Sequence, residues 1–172
     1  MFRKVVYVLL VGAVLVFSTM ALAGPEESVR GGNRDRVAVI NVRDFNLKTL
    51  EGKVVLIAFW QGFECLPCEA YISWLSTMQS QFGKEGLIVV AVNQDLETVE
   101  AKDLMKKIHS RSQVVLDPTR RMGSSYKLEG MPSTYLYDRN QNMTDKFVGF
   151  VPEETEAMEK AIAKLIEKEY KD

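Results

Sequence analysis

Two cysteines, Cys65 and Cys68, lie three positions apart in the stretch "FWQGFECLPCE", and the 172-residue sequence contains no others. Such a pair can form a disulfide, contribute half of a metal site, or act as a redox couple. A disulfide this short closes a very small loop, so it constrains the unfolded chain little and is a weak stabiliser. A thiol at the first turn of a helix meets unpaired N–H groups, which lower its pKa and favour the reactive thiolate. The spacing therefore indicates thiol–disulfide exchange, with a purely structural disulfide as the alternative.

Few other residues could build a metal or haem site around this pair. A tetrahedral zinc site needs about four protein ligands, whereas the chain offers the two cysteines and a single histidine, His109. Covalent haem attachment needs a histidine directly after the second cysteine, and that position is Glu69. We therefore predict neither a metal site nor a cofactor.

The N-terminal segment bears on the compartment in which the cysteines work. A basic start at Arg3 and Lys4 precedes an apolar run over 5–17, and the small residues "ALA" follow at 21–23. This pattern predicts a signal peptide over 1–23. A retained anchor is the alternative, because the apolar stretch approaches the roughly 20 residues that span a bilayer. In both cases the remaining chain lies outside the cytoplasm, in the periplasm or an equivalent space where disulfides persist.

Composition and charge describe one ordinary globular domain. The net charge is −1, which favours neither nucleic acid nor an anionic membrane surface, since both attract basic patches. Contact with a membrane is expected only if the N-terminal segment is retained. Residues 24–36 are rich in glycine and charge and lack apolar periodicity, which indicates a flexible lead-in. The remaining residues, 37–172, suffice for a single domain with a substantial core.

Apolar runs of strand length alternate with helical patterns along that domain. The runs predict strands over 37–42, 54–60, 86–93 and 113–117, followed by a hairpin over 133–138 and 145–150. Continuous apolar runs are typical of central strands that are covered on both faces. The spacing of apolar residues predicts helices over 67–82 and 96–110 and from Pro152 onward, with Gly83 as the stop of the first. Together these elements predict an α/β fold with parallel strands and an antiparallel edge pair.

The cysteines fall at the junction between the second strand and the first helix. Cys65 is expected to cap the helix, and Cys68 to lie one turn deeper. Pro67 is tolerated between them because the amides of a first turn have no intrahelical partner. Residues at i and i+3 lie about 5–6 Å apart on one helix face, which is within the span of a disulfide.

Four stretches together resemble the thioredoxin-like family, in particular its TlpA/ResA-like extracytoplasmic branch. They are "VVLIAFW…CLPC", "IVVAVNQD", "VVLDP…Y" and "GMPSTYLYDRNQ", and the similarity runs from about Val37 to the C-terminus. The resemblance implies a thioredoxin-like fold, with a central mixed sheet flanked by helices and an N-terminal strand extension. It also implies a cis bond at Pro132, with Met131 facing the cysteines and offering its backbone to a substrate segment. An ordinary trans proline at a strand start is the alternative.

The chain departs from this family at several positions around the cysteines. Glu64 stands where an aromatic residue usually precedes the first cysteine, and Ala58 stands where classical thioredoxins carry a buried aspartate. Tyr71 and Ser73 replace a glutamate and a proline that are frequent in the branch. We expect the Glu64 carboxylate to modulate the pair: it accepts or relays the Cys68 proton, disfavours thiolate at Cys65 and makes the couple more reducing. The alternative is a solvent-exposed glutamate with little effect.

The resemblance implies an extracytoplasmic thiol–disulfide oxidoreductase, in which Cys65 attacks a substrate disulfide and Cys68 resolves the mixed disulfide. Its partners would be disulfide-bearing exported proteins, including apocytochromes before haem attachment, and a membrane dithiol donor that supplies electrons. The reducing direction is favoured by this resemblance alone. A redox-inactive thioredoxin-like module for interaction or chaperoning is the alternative.

Overall fold

A computed structural model of the protein describes residues 38–95, 103–104, 106–109 and 111–167. These residues belong to one compact unit, Asn33–Asp172. The predicted signal peptide, the predicted lead-in and most of the predicted helix over 96–110 lie outside the described residues. Within the described ranges, no helix is both long enough and apolar enough to cross a membrane.

The described residues form a mixed sheet of six strands. The strands are β1 (Ala38–Asn41), β2 (Val54–Trp60), β3 (Leu87–Asn93), β4 (Gln113–Leu116), β5 (Ser133–Tyr137) and β6 (Met143–Val148). Their order across the sheet is β1-β4-β3-β2-β5-β6. The first four strands in that order are parallel, and β5 and β6 add an antiparallel hairpin beside β2. The predicted α/β class, the mixed sheet and the N-terminal strand extension are therefore confirmed.

Helices cover both faces of this sheet. They are α1 (Cys68–Phe82), α2 (Arg121–Tyr126) and α3 (Pro152–Glu167), with short 3-10 segments at Leu47–Leu50 and Gly83–Glu85. Successive side chains of a strand point to opposite faces, so β2 contributes to two apolar clusters. Leu56, Ala58 and Trp60 pack with residues of α1 and α3, while the alternate residues of β2 pack with the α2 side. Every residue of β2 is buried, which makes it the central strand that its apolar run predicted.

The first helix ends as predicted, at Phe82, with Gly83 as its C-cap. Gly83 has right-handed helical geometry, with φ −63°, and the chain continues through a 3-10 turn to Gly86, which has φ 103°. The buried side chain of Gln79 donates to the Leu87 carbonyl and accepts from the Val89 N–H. These bonds tie the last turn of α1 to β3, and the left-handed conformation that favours glycine follows at Gly86.

The hairpin forms as predicted, but β6 begins at Met143, two residues earlier than the sequence pattern suggested. The turn is closed by Asp138, whose carboxylate accepts from the Asn142 N–H at 2.8 Å. Gln141 takes the left-handed conformation in this turn, with φ 63°. Because Asp138 closes the turn with its own side chain, pairing with β5 resumes as early as Met143.

Candidate active site

The two cysteines are joined in a disulfide at the N-terminal end of α1. Their Cα atoms lie 5.4 Å apart. The Cys68 N–H donates to the Cys65 carbonyl at 3.1 Å, and the Tyr71 N–H donates to the Pro67 carbonyl at 2.9 Å. The first bond makes a tight turn and the second begins the α-helical ladder, so α1 begins at Cys68. Cys65 therefore lies in the turn before the helix rather than capping it, because Pro67 occupies the cap position.

Burial distinguishes the two sulfurs. Cys68 is fully buried, with 0% of its surface exposed, and belongs to the apolar cluster between the sheet and α1. Cys65 is half-buried, and the residues on either side of it along the chain, Glu64 and Leu66, are exposed. A partner molecule can therefore approach Cys65 and not Cys68.

The loop that carries Cys65 is held by Asp95, which directly follows Gln94 at the carboxyl end of β3. Its carboxylate accepts from the Gly62 N–H at 2.7 Å and from the Phe63 N–H at 3.4 Å. The side-chain amide of Asn93 also donates to it, at 2.6 Å. Sequence reasoning missed Asp95 as a functional residue, although a carboxylate at the end of a buried strand was the available signal.

Glu64 lies directly before Cys65 in the left-handed conformation, with φ 54°. Its side chain is exposed, and no residue in the described part of the chain forms an ion pair with it. Few residues other than glycine adopt this conformation without cost. The preceding residue, Phe63, has 58% of its surface exposed. Phe63, one position before Glu64, is thus the exposed aromatic residue of this loop.

The other glutamate beside the pair is in a different electrostatic environment. Glu69 forms an ion pair with Lys107. The hydrogen bond from the Lys107 ammonium, helped by the attraction between the charges, lowers the pKa of Glu69. Glu69 is therefore charged and neutralised by its partner, whereas Glu64, next to Cys65, has no ion-pair partner among the described residues.

A buried pair of hydroxyl groups lies in the core beneath the cysteine helix. The Tyr71 hydroxyl and Thr134 Oγ1 are 2.6 Å apart and both are buried. Thr134 is the cross-strand neighbour of Ala58, and Ala58, Tyr71 and Cys68 share one apolar cluster. Burial raises the pKa of Tyr71, so this hydroxyl stays neutral. The polar group at this position is thus an uncharged pair of hydroxyls and not a carboxylate.

The segment containing Met131 and Pro132 lies at the end of β2 from which the cysteine loop departs. Ser133, the next residue, pairs with Phe59 across the sheet. The Met131–Pro132 peptide bond is cis, and the Pro132 carbonyl accepts from the Gly149 N–H at 2.8 Å. Among the described residues, none forms a hydrogen bond with the main chain of Met131.

The predicted site residues occupy one end of the sheet. Cys65, Cys68 and Glu64 are brought together in one turn, and Met131 and Pro132 begin the neighbouring strand. Across the ranges that the structure describes, no group of three or more histidine, cysteine, aspartate or glutamate side chains is placed to hold a metal ion. The arrangement can perform two-electron exchange between a dithiol and a disulfide.

Known proteins resemble this chain in sequence and in structure. The model of the AhpC/TSA family matches residues 36–146. A thiol-disulfide oxidoreductase ResA of Bacillus cereus is 24% identical over 152 residues, which cover 87% of each chain. ResA of Bacillus subtilis is 26% identical over 133 residues, which cover 76% of this chain and 74% of that protein.

A solved structure adds a match of higher identity. The putative thiol:disulfide interchange protein DsbE from Chlorobium tepidum superimposes with a TM-score of 0.64 and 33% identity, over 70% of this chain and 84% of that chain. The residues matched by the family model include the strands β1 to β5, the helix α1 and both cysteines. The protein described here therefore belongs to the AhpC/TSA family, as a thioredoxin-like thiol-disulfide oxidoreductase.

Proposed function

We propose that the protein reduces disulfides in exported proteins outside the cytoplasm, with Cys65 as the attacking and Cys68 as the resolving residue. The observation that carries the proposal is the disulfide between a half-buried Cys65 and a fully buried Cys68 at the start of α1. The N-terminal pattern over 1–23 supports export of the chain, and an oxidising compartment is where a substrate would carry disulfides.

The reaction proceeds by two exchanges of sulfur. In the dithiol form, the Cys65 thiolate attacks one sulfur of a substrate disulfide, forms a mixed disulfide and releases one substrate thiolate, which takes up a proton. Cys68 then loses its proton to solvent or a nearby base, attacks the Cys65 sulfur and releases the second substrate thiolate. The substrate gains two electrons and two protons, and the protein ends as the disulfide seen in the structure.

The positions of the two sulfurs support this order of events. Cys65 precedes the first turn of α1, where the positive end of the helix dipole favours a thiolate. Cys68 is held in the core with none of its surface exposed, so an external disulfide cannot reach it. Its Cα is 5.4 Å from that of Cys65, so the Cys65 sulfur is within its reach. A buried resolving thiol cannot be captured by a second substrate, so the mixed disulfide resolves within the protein.

We further propose that Met131 and Pro132 form the substrate-binding edge. A substrate segment in extended conformation would pair with the main chain of Met131, in the manner of strand addition. The main chain of Met131 has no hydrogen-bond partner among the described residues, which supports this role. The register that places Ser133 opposite Phe59 supports it as well. The segment would then pass over the sulfur of Cys65.

The surroundings of the pair support the reducing direction. Burial in an apolar cluster disfavours a thiolate at Cys68, and at Cys65 the Glu64 carboxylate opposes the stabilisation of a thiolate by the helix dipole. Whatever disfavours the thiolates favours the disulfide over the dithiol, which makes the couple a stronger reductant. A membrane dithiol donor would return the pair to the dithiol state after each cycle. Apocytochromes that must be reduced before haem attachment are the substrates we propose.

Reduction of insulin by dithiothreitol in the presence of the protein tests the activity. We expect the wild-type chain to accelerate precipitation of the insulin B chain, and the Cys65→Ser variant to give only the uncatalysed rate. Equilibration with a glutathione redox buffer then fixes the direction, since a potential below that of the exported substrates' disulfides is required. If the wild type equals the variant, the chain is a redox-inactive interaction module instead.

A further inference from the structure

Two large apolar side chains are exposed on the turn that carries Cys65. Leu66 is 100% exposed and Phe63 is 58% exposed. Large apolar side chains exposed on one short turn are candidates for a contact surface with a partner. The turn is otherwise tightly held, because Asp95 bonds the main chain at Gly62 and Phe63. These side chains are thus presented to solvent by a fixed backbone.

A cavity of about 460 Å³ opens beside the same turn. Glu64, Cys65 and Leu66 form one wall, while Glu69, Leu104 and Lys107 contribute to the rest. Its size falls within the roughly 300–1,000 Å³ of typical ligand pockets. Cys65 lies in the wall of the cavity. A substrate side chain close to the disulfide that Cys65 attacks can therefore enter the cavity.

Among the residues that the structure describes, one carboxylate at this cavity has no ion-pair partner. Lys107 neutralises Glu69, and Lys106 neutralises Asp103. Glu64 has no ion-pair partner within the described residues. The cavity therefore presents the Glu64 carboxylate and the Leu66 side chain next to the Cys65 sulfur, and Phe63 is exposed one position before Glu64.

We propose that this surface selects disulfides whose flanking residues include one apolar and one basic side chain. This proposal rests on the function proposed above and adds the class of substrate. The apolar side chain would cover Leu66 or Phe63, and the basic side chain would enter the cavity beside Glu64. A basic neighbour also lowers the pKa of the substrate thiol, and a thiol of lower pKa leaves faster during exchange. A basic side chain next to the substrate disulfide would thus improve both the binding of the substrate and the departure of its thiolate.

Three cyclic peptides that each contain one disulfide provide the test. Their cysteines are flanked by leucine and lysine, by leucine and glutamate, or by serine and lysine. The value of kcat/KM for reduction of each peptide is measured with wild type, Glu64→Gln, Leu66→Ser and the control Val39→Ser. Val39 is likewise an exposed apolar residue, 58% exposed, but it lies on β1 at the far edge of the sheet.

We expect wild type to prefer the leucine–lysine peptide over both others. Glu64→Gln should reduce the preference for lysine over glutamate by up to about fivefold, the upper end for an exposed ion pair. Leu66→Ser should reduce the preference for leucine over serine by about tenfold, as expected for losing part of an apolar contact. Val39→Ser should retain both ratios, and added salt should reduce only the lysine preference.

The outcomes separate this inference from the proposed function. Equal kcat/KM values for all three peptides, or variants that keep the wild-type ratios, would overturn the substrate class while leaving the exchange activity established. Reduction of none of the peptides by wild type would overturn both. Reduction that persists in Cys65→Ser would show that another group does the chemistry.

Discussion

Asp95 Oδ2 lies 2.7 Å from the main-chain nitrogen of Gly62, so a buried carboxylate at the end of β3 holds the loop that carries Cys65. The same carboxylate also accepts from Phe63 and from the Asn93 side chain. The loop thus has a fixed path between β2 and α1. Only three residues separate Phe63, which Asp95 holds, from Pro67, the N-cap of α1. Asp95 acts as a positioning residue, through the loop rather than on the sulfur.

Asp95→Ala is expected to lower both stability and the rate of exchange. The variant leaves the N–H groups of Gly62 and Phe63 and the amide of Asn93 without their acceptor. An unsatisfied buried donor such as the Asn93 amide costs about 1–3 kcal/mol, and the partly exposed amides of Gly62 and Phe63 cost less because water can reach them. We therefore expect the free energy of unfolding to fall by about 1–3 kcal/mol in urea titrations. Asp95→Asn retains an acceptor oxygen and should lose less. Asp145→Ala, which changes an exposed residue of β6, serves as the control. An equal loss of stability in that variant would contradict the role assigned to Asp95.

The strands were predictable from the sequence because burial on both faces leaves a continuous apolar run. Val54 to Trp60 reads as such a run, and every one of these residues is buried in the sheet. The role of Asp95 was not predictable in this way. Its partner Gly62 is separated from it by 33 residues, and no local pattern records which main-chain groups a distant carboxylate meets.

The end of α1 was predictable in part. Gly83 is the C-cap of the helix, as expected from the apolar stripe that stops just before it. The 3-10 turn that follows leads to a left-handed residue at Gly86. This turn lies beside the tertiary bonds from the Gln79 side-chain amide to Leu87 and Val89 in β3, and helical periodicity does not indicate such bonds.

Cys68→Ser is expected to trap a substrate on Cys65. The variant lacks the thiol that releases the captured substrate, so the mixed disulfide should accumulate and disappear on addition of dithiothreitol. Non-reducing gels and mass spectrometry of the adduct measure this. Cys65→Ser is the matched control and should trap far less, because Cys68 is 0% exposed. Equal trapping by both variants would contradict the assignment of Cys65 as the attacking residue.

Glu64→Gln is expected to lower the pKa of the Cys65 thiol and raise the reduction potential. Removing the carboxylate removes a like charge next to the thiolate, so the thiolate and with it the dithiol form are stabilised. Thiolate absorbance as a function of pH measures the first effect, and equilibration with glutathione measures the second. Asp145→Asn removes a charge from an exposed position on β6 and should change neither quantity. An unchanged thiolate titration in Glu64→Gln would show that Glu64 does not tune the pair.

Tyr71 and Thr134 are expected to be coupled in stability. Each single variant, Tyr71→Phe and Thr134→Val, leaves one buried hydroxyl without the partner that lies 2.6 Å away. Each should therefore lower the free energy of unfolding by about 1–3 kcal/mol. The double variant leaves no orphaned hydroxyl, so its loss should be smaller than the sum of the single losses. Additive losses in urea titrations would show that the two hydroxyls do not interact.

Because it contains buried tyrosine hydroxyls, the protein is expected to lose stability at alkaline pH. Burial raises the pKa of Tyr71 above its ordinary value of 10.0, and it raises that of Tyr126 as well. Above about pH 10 these groups ionise in the unfolded chain but stay protonated in the folded one, so stability is present below that pH and is lost as pH rises. Each such group contributes a slope of up to about 1.4 kcal/mol per pH unit. Tyr71→Phe should be less stable than wild type at pH 7 yet lose stability less steeply above pH 10. If its urea-derived stability fell in parallel with that of wild type, Tyr71 would not be the group that titrates.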